Sequence, residues 1–135
     1  MIENSPILSR NLVKYLKEKG IPVPTFPKAA HHIVAIHADA AEATRKLLEQ
    51  FGIGENELNS AANGVFLPTD PLQNPNGSTL HIGSHKAEYH EYVYNYLNDK
   101  IDYFKRTNQN ITQTQIYTWI DDIRQDLLSG QLSLN

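Results

Sequence analysis

The stretches Ala30-His31-His32-Ile33-Val34 and His81-Ile82-Gly83-Ser84-His85 hold four of the chain's six histidines. The fold turns on whether it brings them together. Imidazole is the side chain whose ordinary pKa lies near neutrality, and its neutral nitrogens are the commonest protein metal ligands. Two such clusters, distant in sequence, point to a metal site with a general base beside it.

Working outward, residues 21–27 carry Pro22, Pro24 and Pro27, so this segment is extended and non-helical. It delivers the chain stiffly to the histidine pair. The apolar run 33–36 reads as a strand whose period is blurred because both faces are covered. Upstream, 6–19 reads as a helix capped by Ser5, with Pro6 in its first turn and Gly20 ending it. Ile7, Leu8, Leu12, Tyr15 and Leu16 give its apolar stripe, leaving Arg10, Lys14 and Lys17 outward. Downstream, 39–51 reads as a helix capped by Asp39 and stopped by Gly52, with Ala43, Leu47, Leu48 and Phe51 inward. A short helical turn over 55–61 follows. Asn63-Gly64 is a turn feeding a brief strand that Pro68 ends, and 69–79 is a loop.

The longest helix is expected over 84–106, with Tyr89, Val93, Tyr96, Leu97, Ile101 and Phe104 as its core stripe. Thr112 caps a last helix through Leu128. Ile116, Trp119, Ile120, Ile123 and Leu127 face inward there, and Gly130 ends it.

With 135 residues, 40% hydrophobic, the chain suits a single domain with a proper core. No run is long enough to cross a bilayer. The first residues lack the basic start and apolar stretch of a signal peptide. Because there is no cysteine, any metal ligand must be His, Asp, Glu or Asn. A net charge of −3 argues against a strongly basic nucleic-acid binder, though a local patch can still meet phosphates.

Neighbouring residues of an extended backbone point to opposite faces, so one of His31 and His32 can bind a metal while the other faces water or substrate. That division suits phosphodiester hydrolysis. The plain alternative is a pair of solvated loop histidines. His81 and His85 would share a face if both were helical. Gly83 instead argues that the helix begins near Ser84, leaving His81 in the loop and His85 in the first turn. There the helix dipole favours a neutral, ligating imidazole. His90 and His37 read as packing or surface residues. Asn63 is a turn residue, a clamp on the histidine loop, or a carbonyl donor to a metal. Lys28 and Lys86 flank the two clusters and either meet phosphates or are merely solvated. Asp121, Asp122 and Asp126 make the last helix acidic, turned away from any nucleic acid.

Taken in order, Ala30-His31-His32, then 61–68 (AANGVFLP), then His81-Ile82-Gly83-Ser84-His85 with Tyr89 beyond, resemble the AHH family of nuclease toxin domains in the HNH/endonuclease VII superfamily. The match runs from about Lys28 to Leu97. The resemblance implies an α+β, mostly helical fold: a ββα-metal (HNH-like) core over 28–97 with a short two-stranded hairpin and flanking helices. Residues 1–27 would be a lead-in helix and proline segment, and 98–135 a helical extension of one nuclease domain. It implies that His32 is the general base and that His31, His81 and His85 are metal ligands. Asn63 would be the superfamily's middle asparagine, and Lys28 and Lys86 substrate contacts. The helix over 39–51 departs from the superfamily's usual loop between the strands and leaves their pairing open.

By the same likeness the chain is expected to be a metal-dependent endonuclease, taking one divalent ion (Mg, Mn, Ni or Zn) and cutting DNA in preference to RNA. It is expected to be a bacterial antibacterial effector, exported by a specialised secretion system and neutralised by an immunity protein. The rival reading is a non-catalytic binding module whose histidines hold a structural zinc. A closed four-ligand site, and unfolding on chelation, would mark that rival.

Overall fold

A computed structural model describes residues 6–135, and in it the strand begins as soon as the prolines end. The elements in order are α1 (Pro6–Glu18), β1 (Lys28–His32), a 3-10 turn (Asp39–Ala41), α2 (Glu42–Glu49), α3 (Glu55–Leu58), a second 3-10 turn (Ala61–Asn63), β2 (Gly64–Pro68), α4 (Ala87–Arg106) and α5 (Gln113–Leu128). The mostly helical α+β architecture with one strand pair is the expected one. The cap expected at Ser5 lies outside the described residues.

β1 and β2 pair antiparallel, with Ala30 opposite Phe66, His31 opposite Val65 and His32 opposite Gly64. Pro27 C=O extends the pairing by accepting from Thr69 N–H at 3.0 Å. The strands pair despite the helical excursion between them, which answers the question the insertion raised. Strand alternation then gives the sheet two faces. Val65 and Leu67, on the side of His31, join the main core with α4 and α5. Ala30 and Phe66, on the side of His32, pack against Leu8 and Leu12 of α1. Helix α1 lies so close here that a Cβ on Gly64 would stand 2.6 Å from Leu8 Cδ1. A glycine opposite His32 is what lets α1 seat on the sheet.

The apolar run 33–36 is not the strand. β1 is the stretch before it, and Ile33, Val34 and Ala35 are instead buried in the bend that follows. Their backbone is drawn out of the ladder by Asn63. Its main-chain O accepts from Ile33 N–H at 2.9 Å, and its side-chain amide bonds both the N–H and the C=O of Val34.

The helix expected over 39–51 opens as the 3-10 turn, so Asp39 lies inside that turn rather than capping it. Ala43 is exposed and Thr44 is buried in its stead. On α1, Ile7 and Tyr15 are also exposed, which leaves Leu8 and Leu12 to carry its contact.

The third difference bears on the site. α4 starts at Ala87, not near Ser84, and Lys86 is its cap residue. Gly83 adopts φ 69°, a left-handed turn that breaks any helical run from His81. The C-terminal tail bonds the chain on both sides of this turn: Lys86 N–H donates to Leu134 O at 2.8 Å, and Asn135 Nδ2 to Ile82 O at 3.0 Å. α5 keeps its expected cap, with Thr112 accepting from Gln115 N–H.

Candidate metal centre and its neighbouring histidine

His31 points from β1 into the main-core side of the sheet. His81 is presented there by a loop strung between β2 and the C-terminal tail. Its N–H donates to Pro68 O at 2.8 Å, while Thr79 upstream donates its hydroxyl to Leu132 O. His85 arrives from the non-helical segment ahead of α4. The three imidazoles meet edge to face, with ring centroids 5.1, 5.1 and 4.8 Å apart. One ring nitrogen from each lies within 4.8 Å of the others.

This cage is built for neutral rings. His31 and His81 are fully buried and His85 half-buried. Burial, then the neighbouring His81 and His85, hold His31 well below its usual range. Burial also lowers His81. Burial, followed by His81 and His90, takes His85 down to about 4. A helix dipole, expected to keep His85 neutral, is not the cause, because His85 stands outside α4.

Tyr89, one turn into α4, decides how His31 presents itself. Its Oη lies 2.9 Å from His31 Nε2 and 2.7 Å from Ile33 O. A carbonyl only accepts, so the tyrosine's single proton goes to Ile33 and its oxygen accepts from His31 Nε2–H. The lone pair of His31 is thereby left on Nδ1. Both ring nitrogens of His81 and Nε2 of His85 are buried and make no hydrogen bond. Buried polar atoms are ordinarily paired, and a divalent cation would pair one nitrogen of each of these two rings. Three neutral imidazoles thus fit a metal of the zinc, nickel, cobalt or manganese kind better than magnesium.

His32 takes the other face, as alternation requires. It is buried, and its Nε2 lies 2.8 Å from Asn59 Oδ1. Asn63 joins neither ring. Besides its two bonds to Val34, its amide donates to Leu58 O at 2.9 Å, so it ties the bend after β1 to the end of α3. Arg124 of α5 secures the same block by donating to Gly64 O, Ala61 O and Ala62 O, while Asp121 pairs with it.

Lys28 shares the His32 face but lies about 13 Å along the strand from it. Its Nζ sits 5.4 Å from the Phe66 ring centre. Lys86 is exposed next to His85. The structure therefore brings His31, His81 and His85 together, sets His32 beside them on the opposite face, and leaves the two lysines at the rim. His37 is exposed. His90 is buried, its ring 5.3 Å from Tyr89 and 6.3 Å from His85.

Two site residues were not foreseen in these roles. Asn59 falls in what reads as a plain helical turn, and nothing in its sequence context marks it. Tyr89 is legible as a core residue and part of the matched pattern but not as an orienting hydroxyl, since its partners come from β1 and the bend after it.

A family model described as a nuclease family of the HNH/ENDO VII superfamily with conserved AHH matches residues 12–127. That span includes Ala30-His31-His32, Asn63 and both later histidines. No curated protein and no solved structure matches.

Proposed function

Because the chain belongs to the AHH nuclease family of the HNH/endonuclease VII superfamily, we propose that it is a metal-dependent endonuclease that hydrolyses phosphodiesters by attack of water. The observation that carries this reading is the split of one dipeptide. His31 enters a cage of three neutral imidazoles while His32, the next residue, is held outside it by strand alternation.

His31, His81 and His85 would hold one divalent ion. Bound there, the ion supplies Lewis-acid polarisation of the phosphate and neutralises developing charge. The residues of the chain do the rest. His32 accepts the proton of the attacking water as general base. Asn63 keeps the bend after β1 rigid, so that His31 and His32 retain their opposed directions. Tyr89 fixes the proton of His31 on Nε2, leaving the Nδ1 lone pair for the ion. Lys28 and Lys86 meet phosphates flanking the scissile bond. Contacts of this kind do not read sequence, so cutting is sequence-tolerant; the family likeness favours DNA over RNA as the substrate. The family likeness also supports a bacterial toxin or effector neutralised by an immunity protein.

The rival, a structural zinc in a non-catalytic module, calls for a closed four-ligand site. Among the described residues the cage offers three.

Plasmid DNA and a structured RNA, each incubated with the purified chain and Mn²⁺, Mg²⁺, Ni²⁺ or Zn²⁺, test the reading. Cutting of DNA with at least one metal, abolished by chelator, is expected. Intact DNA and RNA under every metal contradict it. Unfolding on chelation with no cutting in any condition favours the structural zinc.

A further inference from the structure

Two of the three caged imidazoles, His81 and His85, come from residues 79–86, a stretch that is neither helix nor strand. No ladder fixes its course, so single hydrogen bonds must. Ahead of His81, Thr79 N–H donates to Leu127 O at 2.8 Å and the Thr79 hydroxyl to Leu132 O, and His81 N–H donates to Pro68 O. Beyond His81 the partners come from the tail. Asn135 Nδ2 donates to Ile82 O at 3.0 Å, and Lys86 N–H donates to Leu134 O at 2.8 Å. Ile82 and Lys86 bracket both the Gly83 turn and His85. The tail is itself seated, because Leu134 is buried in the main core with residues of α4 and α5. The Asn135 side chain is exposed, so it contributes its bond and little packing.

We propose that Leu134 and Asn135 are positioning residues of the metal centre: from the tail they pin residues 82–86, so that His85 faces His31 and His81 before an ion arrives. This rests on the reading of those three histidines as the ligands. A ligand carried on an unanchored loop has to be ordered at the moment of binding, and the backbone freedom lost then is subtracted from affinity. Here the folding of the tail has already ordered the segment. The three rings accordingly stand with one nitrogen of each within 4.8 Å of the others. Leu134 acts through its carbonyl and Asn135 through its side-chain amide, and neither belongs to the cage.

Calorimetric titration of the full chain with Ni²⁺, set beside denaturant melts in chelator, tests this. Wild type should bind one ion. Asn135→Ala deletes one exposed bond and should lower Ni²⁺ affinity roughly two- to tenfold, the worth of one net hydrogen bond, with the denaturation midpoint in chelator unchanged. In that variant, free of metal, hydrogen exchange at Lys86 N–H should quicken while amides inside α4 and α5 keep their wild-type rates. A chain ending at Ser133 loses both bonds and should bind at least about tenfold more weakly. Wild-type Ni²⁺ affinity in Asn135→Ala overturns the proposal even if the shortened chain does not fold. So does an affinity loss matched by a lowered midpoint, the mark of a tail that only stabilises the fold. A wild-type chain that binds no ion overturns the reading of the cage and the proposal with it. None of these measurements uses cleavage, so intact DNA under every metal overturns the proposed function alone.

Discussion

Tyr89 Oη accepts the Nε2–H of His31 at 2.9 Å and gives its own proton to Ile33 O at 2.7 Å. One hydroxyl on α4 thereby sets the tautomer of a β1 histidine and ties off a carbonyl of the bend that follows. An outer partner of this kind orients a ligand that must offer one particular nitrogen.

Tyr89→Phe keeps the ring in the core and removes only that hydroxyl. Metal affinity should fall by about ten- to a hundredfold, the usual effect of losing such a partner. Calorimetric titration with Ni²⁺ or Zn²⁺ measures it. Unchanged affinity would mean that the ring of His31 is held by packing alone.

Asn63→Ala removes an amide bonded to Val34 N–H, Val34 C=O and Leu58 C=O. At roughly 1–3 kcal/mol for each buried group left unpaired, destabilisation of about 3 kcal/mol or more is expected. Asn63→Asp should not rescue it, because a carboxylate can accept from Val34 N–H but repels the two carbonyls. Denaturant melts of both variants check this. Near-wild-type stability of either would show that the clamp is dispensable.

The depressed histidines predict a pH response for the metal-free chain. Unfolded, each of His31, His81 and His85 gains a proton as pH falls below 6.5; folded, they resist, His85 down to about 4. The unfolded state then binds more protons, so stability is full above 6.5 and declines as pH falls from there toward 4. Denaturant midpoints in chelator at pH 7.5, 6 and 5 should decrease in that order. A flat or rising series would mean that the rings are charged in the folded state.

Much of the helical frame is legible in the residues themselves. The stripes of α4 and α5, the Thr112 cap and the glycines after α1, α2 and α5 depend on neighbours a few positions away. The histidine pair announces the chemistry because alternation must split it wherever the backbone is extended. What escaped depends on distant partners. The burial of Ile33, Val34 and Ala35 looks like a strand until Asn63 is seen taking their hydrogen bonds. His85 looks helical until Leu134 and Asn135 are seen bonding Lys86 and Ile82 on either side of the Gly83 turn. Asn59 gains a role only when α3 folds back beside β1.

The central claim is that adjacent histidines are divided between a metal and a proton. An anomalous difference map from crystals of the full chain loaded with Ni²⁺ or Zn²⁺ tests it most directly. The account predicts one strong peak ligated by His31, His81 and His85, with His32 outside the coordination shell and turned to Asn59. A peak ligated by His32, or no ordered ion among the three imidazoles, would contradict it.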